Sequence, residues 1–416
     1  MNQLQNITAS EILDNLGNPA ISITVYGEDG VISSSSSATN ELTTKYAIKD
    51  IQDNDIKRFQ GHGLLQAIQI VETIIKPSLL GKDIFNQQDI DKTLINLYTS
   101  ENKNNIGGNV LNSISKAVSK AAAKSKKLPL YKYLQNLFSA ETIKIPVPAF
   151  TAIDGVIGVH HNTDFYEFII LPATNKSFKE SLEIGSNTHK LLSQILQKEN
   201  ILPYTGENGG LAPILSTNED ALSLLKEAFE MLNIRLGYDI FLGINVKANS
   251  FYKEDHYYLK DHNLPLNKSE LINFYADLVK KYHLLYLEDP MNDDDINGWS
   301  GLYSLLSADS IIAGDSYTAT NPLRLQEALQ KKTINGIVIK PSDIGTVSES
   351  LAVALMAKTA GIKIIVADNL STTNDTFLAD LSVAISADYA RFGSVVRGER
   401  TIKYNRLLQI DKELNG

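Results

Sequence analysis

Six polar residues each close a short apolar run: Asn245 ends FLGIN, Glu288 ends LLYLE, Asp315 ends IIAGD, Lys340 ends GIVIK, Asp368 ends IIVAD and Arg391 ends YAR. Asn245, Glu288 and Asp315 come from successive runs and offer oxygen. That set suits a hard cation such as Mg²⁺, which takes oxygen ligands octahedrally and retains waters. An amide oxygen is a poorer ligand than a carboxylate, so Asn245 weakens the set. Lys340 follows on the next run and acts as a base only where burial or nearby cations lower its pKa. Arg391 is a candidate neighbour for that, and its planar fork also suits a carboxylate. Together these residue types describe an enolisation: a metal holds a carboxylate, lysine removes the adjacent proton, and the cation stabilises the resulting dianion. The plain alternative is an ion-pair ring of Lys340 and Arg391 with Asp343 and Asp368. Spacing leaves both open, because structural networks perturb charges too.

These residues act together only if the chain brings the six run ends to one place. The runs are short and apolar on both faces, and helix-period segments separate them at 269–282, 322–332, 348–361 and 375–388, with 400–414 closing the chain. The six polar residues lie 43, 27, 25, 28 and 23 positions apart, about the length of a βα unit. A parallel β/α barrel follows, and its C-terminal strand ends converge on one mouth. The first 40 or so residues instead alternate, as in Ala20-Ile21-Ser22-Ile23-Thr24-Val25, with turn residues at 17–19 and 28–30. From about 64 to 137 the period becomes helical. The reading is an α+β domain over residues 1–138 followed by a β/α barrel over 139–416.

With 43% hydrophobic and 21% charged residues, the composition is that of a soluble globular protein. The apolar runs stop far short of the ~20 residues of a membrane span, and the first ten residues do not read as a secretory signal. A cytoplasmic location is the expectation. The chain has no cysteine, which removes disulfides, thiolate metal sites and cysteine nucleophiles. A net charge of −9 disfavours nucleic-acid partners. The basic stretch SKAAAKSKK at 119–127 reads as a solvated helix face.

Along the whole chain, ordered motifs resemble the enolase family. Asp14-Asn15-Leu16-Gly17-Asn18-Pro19 is similar to its DSRGNP turn, and Glu101-Asn102-Lys103, Leu128-Pro129-Leu130-Tyr131, Pro146-Val147-Pro148, Glu167-Phe168, Gly209-Gly210-Leu211-Ala212-Pro213, Leu287-Glu288-Asp289-Pro290, Thr320-Asn321-Pro322 and Lys403-Tyr404-Asn405-Arg406 follow in family order. The resemblance implies an α/β barrel of the enolase-type TIM kind with an N-terminal α+β cap, first strands that depart from plain βα order, a homodimer, and Mg²⁺-assisted dehydration of 2-phosphoglycerate. It places Lys340 as the catalytic base, Glu288 and Asp315 as two of three metal carboxylates, and Glu167 as an active-site glutamate.

Several positions depart from that family pattern. The glutamate of GDEGG that helps expel hydroxide is Asn208 here, and asparagine cannot give up a proton at neutral pH. The third metal carboxylate is Asn245, and the second catalytic lysine is Arg391. The phosphate-binding SHRSGE becomes Ala367-Asp368-Asn369-Leu370-Ser371-Thr372, so Asp368, Asn369 and Leu370 replace a cationic pocket with acidic and apolar groups. The SGAST loop resembles 39–43, the histidine of NGGxH falls on Gly158, and His160 and His161 read as surface residues. A positioned acid is worth ~10²- to 10⁴-fold in rate and an electrostatic donor ~10²- to 10³-fold. Losing either is disabling. The expectation is an enolase paralogue with Mg²⁺ weakly held or lost, acting as a binding or scaffold protein for a small carboxylate; the alternatives are Mg²⁺-dependent chemistry on another carboxylate, or residual hydratase activity.

Overall fold

The computed structural model describes residues 1–40, 44–97, 106–138, 142–157 and 160–415. Strands β1 (Leu4–Leu13), β2 (Pro19–Gly27) and β3 (Ile32–Ala38) form the antiparallel sheet that the opening alternation implies. Its turns fall on Gly17 and Gly30, at φ of 82° and 81°, where a side chain would be strained. Ile21, Ile23 and Val25 share the buried face and pack with helix α1 (Gly108–Ser125). That helix is buried around most of its girth because it lies between this sheet and the second domain. The basic stretch is therefore only partly a solvated face: Ser119 and Ala121 to Ala123 are buried, and Lys120 is spent on an ion pair.

The second domain carries strand segments β4 (Val147–Pro148), β5 (Phe150–Asp154), β6 (Glu167–Pro172), β7 (Ile240–Asn245), β8 (Leu284–Glu288), β9 (Ile311–Gly314), β10 (Gly336–Ile339), β11 (Lys363–Ala367) and β12 (Tyr389–Arg391). Their order is β4-β12-β11-β10-β9-β8-β7-β6-β5. β4 and β5 are one extended stretch interrupted at Ala149, whose N–H donates to Ala390 O at 2.9 Å. This stretch pairs with β12 on one side and β6 on the other, which closes the sheet into a barrel. β5, β6 and β7 pair antiparallel, and every later pair is parallel. The departure from plain βα order is thus confined to the first strands. Two helices, α2 (Phe178–Lys198) and α3 (Asn218–Met231), separate β6 from β7. Helices α4 (Lys268–Tyr282), α5 (Ile296–Leu306), α6 (Pro322–Lys331), α7 (Val347–Thr359), α8 (Phe377–Ala384) and α9 (Gly398–Asn415) follow the later strands.

Strand side chains alternate between two cores. Ile169, Leu171, Tyr286, Ala313, Val338, Ile365, Ala367 and Tyr389 fill the barrel, while Phe168, Ile244, Leu287, Ile312, Ile337, Ile339 and Val366 pack outward. Burial on both faces is why these runs carry no polar alternation. The same period decides what the mouth receives. Asn245, Glu288, Asp315, Lys340 and Arg391 each stand two residues beyond an inward position, and Glu167 two before one. Asp368 stands one beyond Ala367 and so belongs to the other face.

Asp375, which precedes α8, is one of the contacts that join the two domains. Its carboxylate accepts from Lys120 Nζ at 2.6 Å and from the Ser36 N–H at 3.0 Å, and also from the Ser35 hydroxyl. Burial works against its ionisation, but Lys120 and Lys116 outweigh it and hold the pKa far below the ordinary value. A depressed folded pKa gives stability that is present above the ordinary carboxylate value and lost as pH falls through the folded one. Asp375→Ala leaves Lys120 unpaired and removes the acceptor of β3, so urea denaturation at pH 7 should show a loss of about 3–5 kcal/mol. The wild type should keep this contribution unchanged down to about pH 4. A loss under about 1 kcal/mol, the worth of an exposed pair, would show that the domains dock without this contact.

Candidate active site

Arg391 sits at the centre of the mouth with 4% of its surface exposed. Its Nη1 donates to Glu167 Oε2 at 2.9 Å, and its Nη2 donates to Glu288 Oε1 at 2.6 Å and lies 3.8 Å from Asp315 Oδ2. One guanidinium on β12 therefore reaches carboxylates from β6, β8 and the end of β9. Glu167 also accepts from Thr151 Oγ1 at 2.6 Å and from Asn245 Nδ2 at 2.8 Å. Glu288 accepts through its other oxygen from the Tyr286 hydroxyl. Lys340 Nζ donates to Asp315 Oδ2 at 2.5 Å. Asp289 holds the turn after β9 by accepting the N–H groups of Asp315 at 2.8 Å and Ser316 at 2.7 Å.

The charges follow from burial set against these partners. Burial works to raise the Glu167 pKa, but Arg391 and the bonds from Thr151 and Asn245 outweigh it and leave it below the usual range. At Asp315 burial again loses, to Lys340 and Arg391. Glu288 is pushed up to about 7 by burial despite Arg391, and Asp343 up to about 6 by burial despite Lys340. Burial works to lower the Lys340 pKa, but Asp315 and Asp343 hold it above its ordinary value. Lys340 in this state is an ammonium with its proton firmly held, whereas a general base must be neutral.

One cleft, with about 520 Å³ of space counting the part open to solvent, is lined by Glu167, Asn208, Asn245, Asp315, Lys340, Asp368, Asn369, Leu370 and Arg391. Glu288 lies beneath it, fully buried, and meets it through Arg391. Nine of the ten residues singled out from sequence thus share one wall. The ion-pair ring read from spacing has other members, however. Arg391 pairs with Glu167 and Glu288, and Lys340 with Asp315. Asp368 turns outward by strand parity to meet Lys403 at 2.9 Å and Arg400 at 3.3 Å. Its charge is compensated there, so it does not make the phosphate side acidic as expected. Asn369 Nδ2 donates to Ser342 Oγ at 2.8 Å, and the Leu370 carbonyl accepts from Arg400 at 2.6 Å. Gly158 and residues 41–43 lie outside the described residues.

Sequence reading missed three residues here. Asp154, at the end of β5, accepts the Asn208 N–H and Nδ2 at 3.1 Å each and the Gly210 N–H at 3.0 Å. Burial and the Glu167 charge push its carboxyl up to about 7. Ala152-Ile153-Asp154 carries the same signal of an apolar run closed by a polar residue that marks the other strand ends. Lys247 and Tyr166 also line the cleft, with Lys247 Nζ over the Tyr166 ring at 3.7 Å from its centre. Burial and then the Lys340 charge draw the Lys247 pKa below its ordinary value. Lys247 lies two residues past Asn245, beyond where the apolar run stops.

Asn245, Glu288 and Asp315 are the residues to test for a divalent cation. Among the described residues no three His, Asp or Glu side chains are grouped to hold one. The Asn245 amide gives its N–H to Glu167, and Arg391 lies against both candidate carboxylates.

A closed barrel with antiparallel first strands, an α+β cap and a single mouth of strand-end acids and bases is the enolase-type architecture. Residues 4–134 match the family model of the enolase N-terminal domain and residues 142–416 that of the enolase C-terminal TIM barrel domain. Over 414 residues the chain is 34% identical to the enolase of Helicobacter pylori and 35% identical to that of Helicobacter acinonychis, across 99% of this chain and 96% of each relative. The chain belongs to the enolase family.

Removing Arg391 leaves Glu167 and Glu288 buried without their cation. Arg391→Met should cost about 3–5 kcal/mol in urea denaturation. Arg391→Lys should recover only part of this, because one ammonium cannot fork between two carboxylates. Full recovery by lysine would mean that charge alone, without the fork, holds the mouth.

Proposed function

We propose that this enolase-family protein does not dehydrate 2-phosphoglycerate at a useful rate, and that it serves in the cytoplasm as a binding or scaffold paralogue, a homodimer whose mouth accepts a small carboxylate. The observation that carries this reading is the Arg391 bridge. Its guanidinium bonds Glu167 and Glu288 and approaches Asp315. It therefore supplies from within the chain the positive charge that the family takes from Mg²⁺. The residues present do not fit that metal: Asn245 replaces a carboxylate, and a cation would have to enter against Arg391, Lys340 and Lys247. Lys340 is paired with Asp315 rather than free to take a proton. Asn208 is tied to Asp154 and offers an amide where the family has an acid. On the phosphate side, Asn369 and Leu370 bring no cation.

A second reading has specific support. Glu167, Glu288, Asp315 and Lys340 keep their family positions around one mouth, which favours enolisation of a different carboxylate. Both readings exclude efficient dehydration of 2-phosphoglycerate, which a direct assay of phosphoenolpyruvate absorbance with 2-phosphoglycerate and Mg²⁺ tests. Against a typical enzyme turnover of ~10 per second, the expected rate is lower by at least ~10²-fold, the smaller estimate for one missing acid. An ordinary rate would overturn the proposal and make a neighbour of Asn208 the acid. Thermal denaturation with Mg²⁺ is the companion measurement. A ligand at 100 times its Kd adds about 2.7 kcal/mol of apparent stability, so the absence of a Tm rise up to 1 mM Mg²⁺, taken as ~100-fold above a 10 µM Kd, is the expected result.

A further inference from the structure

Lys247 is not used by any contact that holds the mouth together. Arg391 and Lys340, the other cations lining the cleft, are both committed to carboxylates. Lys247 Nζ makes no hydrogen bond or ion pair among the described residues, and it lies over the face of the Tyr166 ring, 3.7 Å from the centroid. An ammonium held over an aromatic face is fixed in position while its outer N–H groups stay available. Lys247 follows the strand in a left-handed turn at φ 50°. The strand end two residues earlier carries the complementary feature. Asn245 is 1% exposed and lines the same cleft, yet its Oδ1 has no hydrogen-bond partner while its Nδ2 is bonded to Glu167. A buried acceptor without a donor is costly and calls for a partner.

We infer that Lys247 is an anion-binding residue of this mouth, and that with Asn245 it takes a small hydroxycarboxylate bearing no phosphate. This rests on the reading above that the mouth does not turn over phosphoglycerate. The ligand class follows from what each group lacks. Lys247 has donors and one positive charge, so it takes a carboxylate. Asn245 Oδ1 is an acceptor, so it takes the hydroxyl proton of the same ligand. One uncommitted cation beside Glu167, Asp315 and Asp343 suits a single negative charge. A phosphate monoester carries about −1.5 to −2 at neutral pH and would face those acids with too few cations. The ligand binds without a metal, because Lys247 provides the charge for its carboxylate.

Calorimetric titration of the full chain with glycerate, each enantiomer separately and with EDTA present, tests this. Wild type should bind at least one enantiomer, and Lys247→Met should weaken that binding tenfold or more. Lys247→Arg should stay within about threefold, since it keeps the cation. Asn245→Ala should also weaken glycerate binding, and should affect propionate less, since propionate has no hydroxyl proton to give it. 2-Phosphoglycerate should bind no more tightly than glycerate. No glycerate binding by the wild type, or equal affinity in a folded Lys247→Met, would overturn the inference, folding being checked by its denaturation profile. If Lys247→Met misfolds, Lys247→Gln supplies the same comparison. Turnover of 2-phosphoglycerate with Mg²⁺ would instead defeat the parent reading, so the two failures are distinct.

Discussion

Two carboxylates, Glu167 and Glu288, are buried at the mouth of this barrel, and a single guanidinium holds both. Burying an ion of this size costs several kcal/mol unless opposite charge and hydrogen bonds compensate it. Arg391 provides that compensation through its planar fork, one arm to each strand. The neighbouring geometry depends on it. Because Glu167 stays ionised, it orients the Asn245 amide and the Thr151 hydroxyl. Because Glu288 is held, it accepts the Tyr286 hydroxyl from within the barrel. The strands that carry these groups are not sequence neighbours, so the bridge also sets how the staves of the barrel sit against one another.

Most of the polar groups around the bridge are satisfied internally. Asp368 is drawn to Lys403 and Arg400, Asn208 is tied to Asp154, Asn369 to Ser342, and Lys340 to Asp315. A mouth built this way has most of its charged groups already paired. It offers little to a doubly charged metal or a phosphate, each of which would have to displace partners already in place. What remains uncommitted at the mouth includes a cation over an aromatic ring, one amide oxygen and the Arg391 Nε–H. Chemistry that moves protons needs groups whose protonation can change, and here Glu167, Asp315 and Lys340 are held in their charged forms by their partners.

The barrel was legible in the sequence because strands buried on both faces leave continuous apolar runs, and because the polar residue ending each run fell at a βα interval. Homologous motifs then named the family. What could not be read was which acid each base would choose. Spacing allows a ring of Lys340 and Arg391 with Asp343 and Asp368, yet strand alternation turns Asp368 to the outer face, and Arg391 takes Glu167, one strand removed around the barrel, and Glu288, on its far side. Spacing shows where a residue sits along its strand and nothing of the strand opposite. Lys247 was hidden for a related reason: it lies past the strand in a left-handed turn, where the apolar pattern has ended. Asp154 carried the same pattern as its neighbours, but on a strand whose antiparallel partner and bulge obscured its end.

The closing of the barrel has a consequence for how the protein is made. β12 seals the ring against the stretch 147–154, and 224 residues separate Glu167 from Arg391. At ~5–20 residues per second on the ribosome, roughly 11–45 s pass between the emergence of the two. Throughout that time the nascent barrel has an open edge and its mouth acids lack their cation. The N-terminal domain, with its own core, can form meanwhile. The barrel must wait for β12, and a ribosome that stalls before Arg391 leaves a sheet with exposed strand edges, the form of a protein most apt to be captured by chaperones or by another copy of itself.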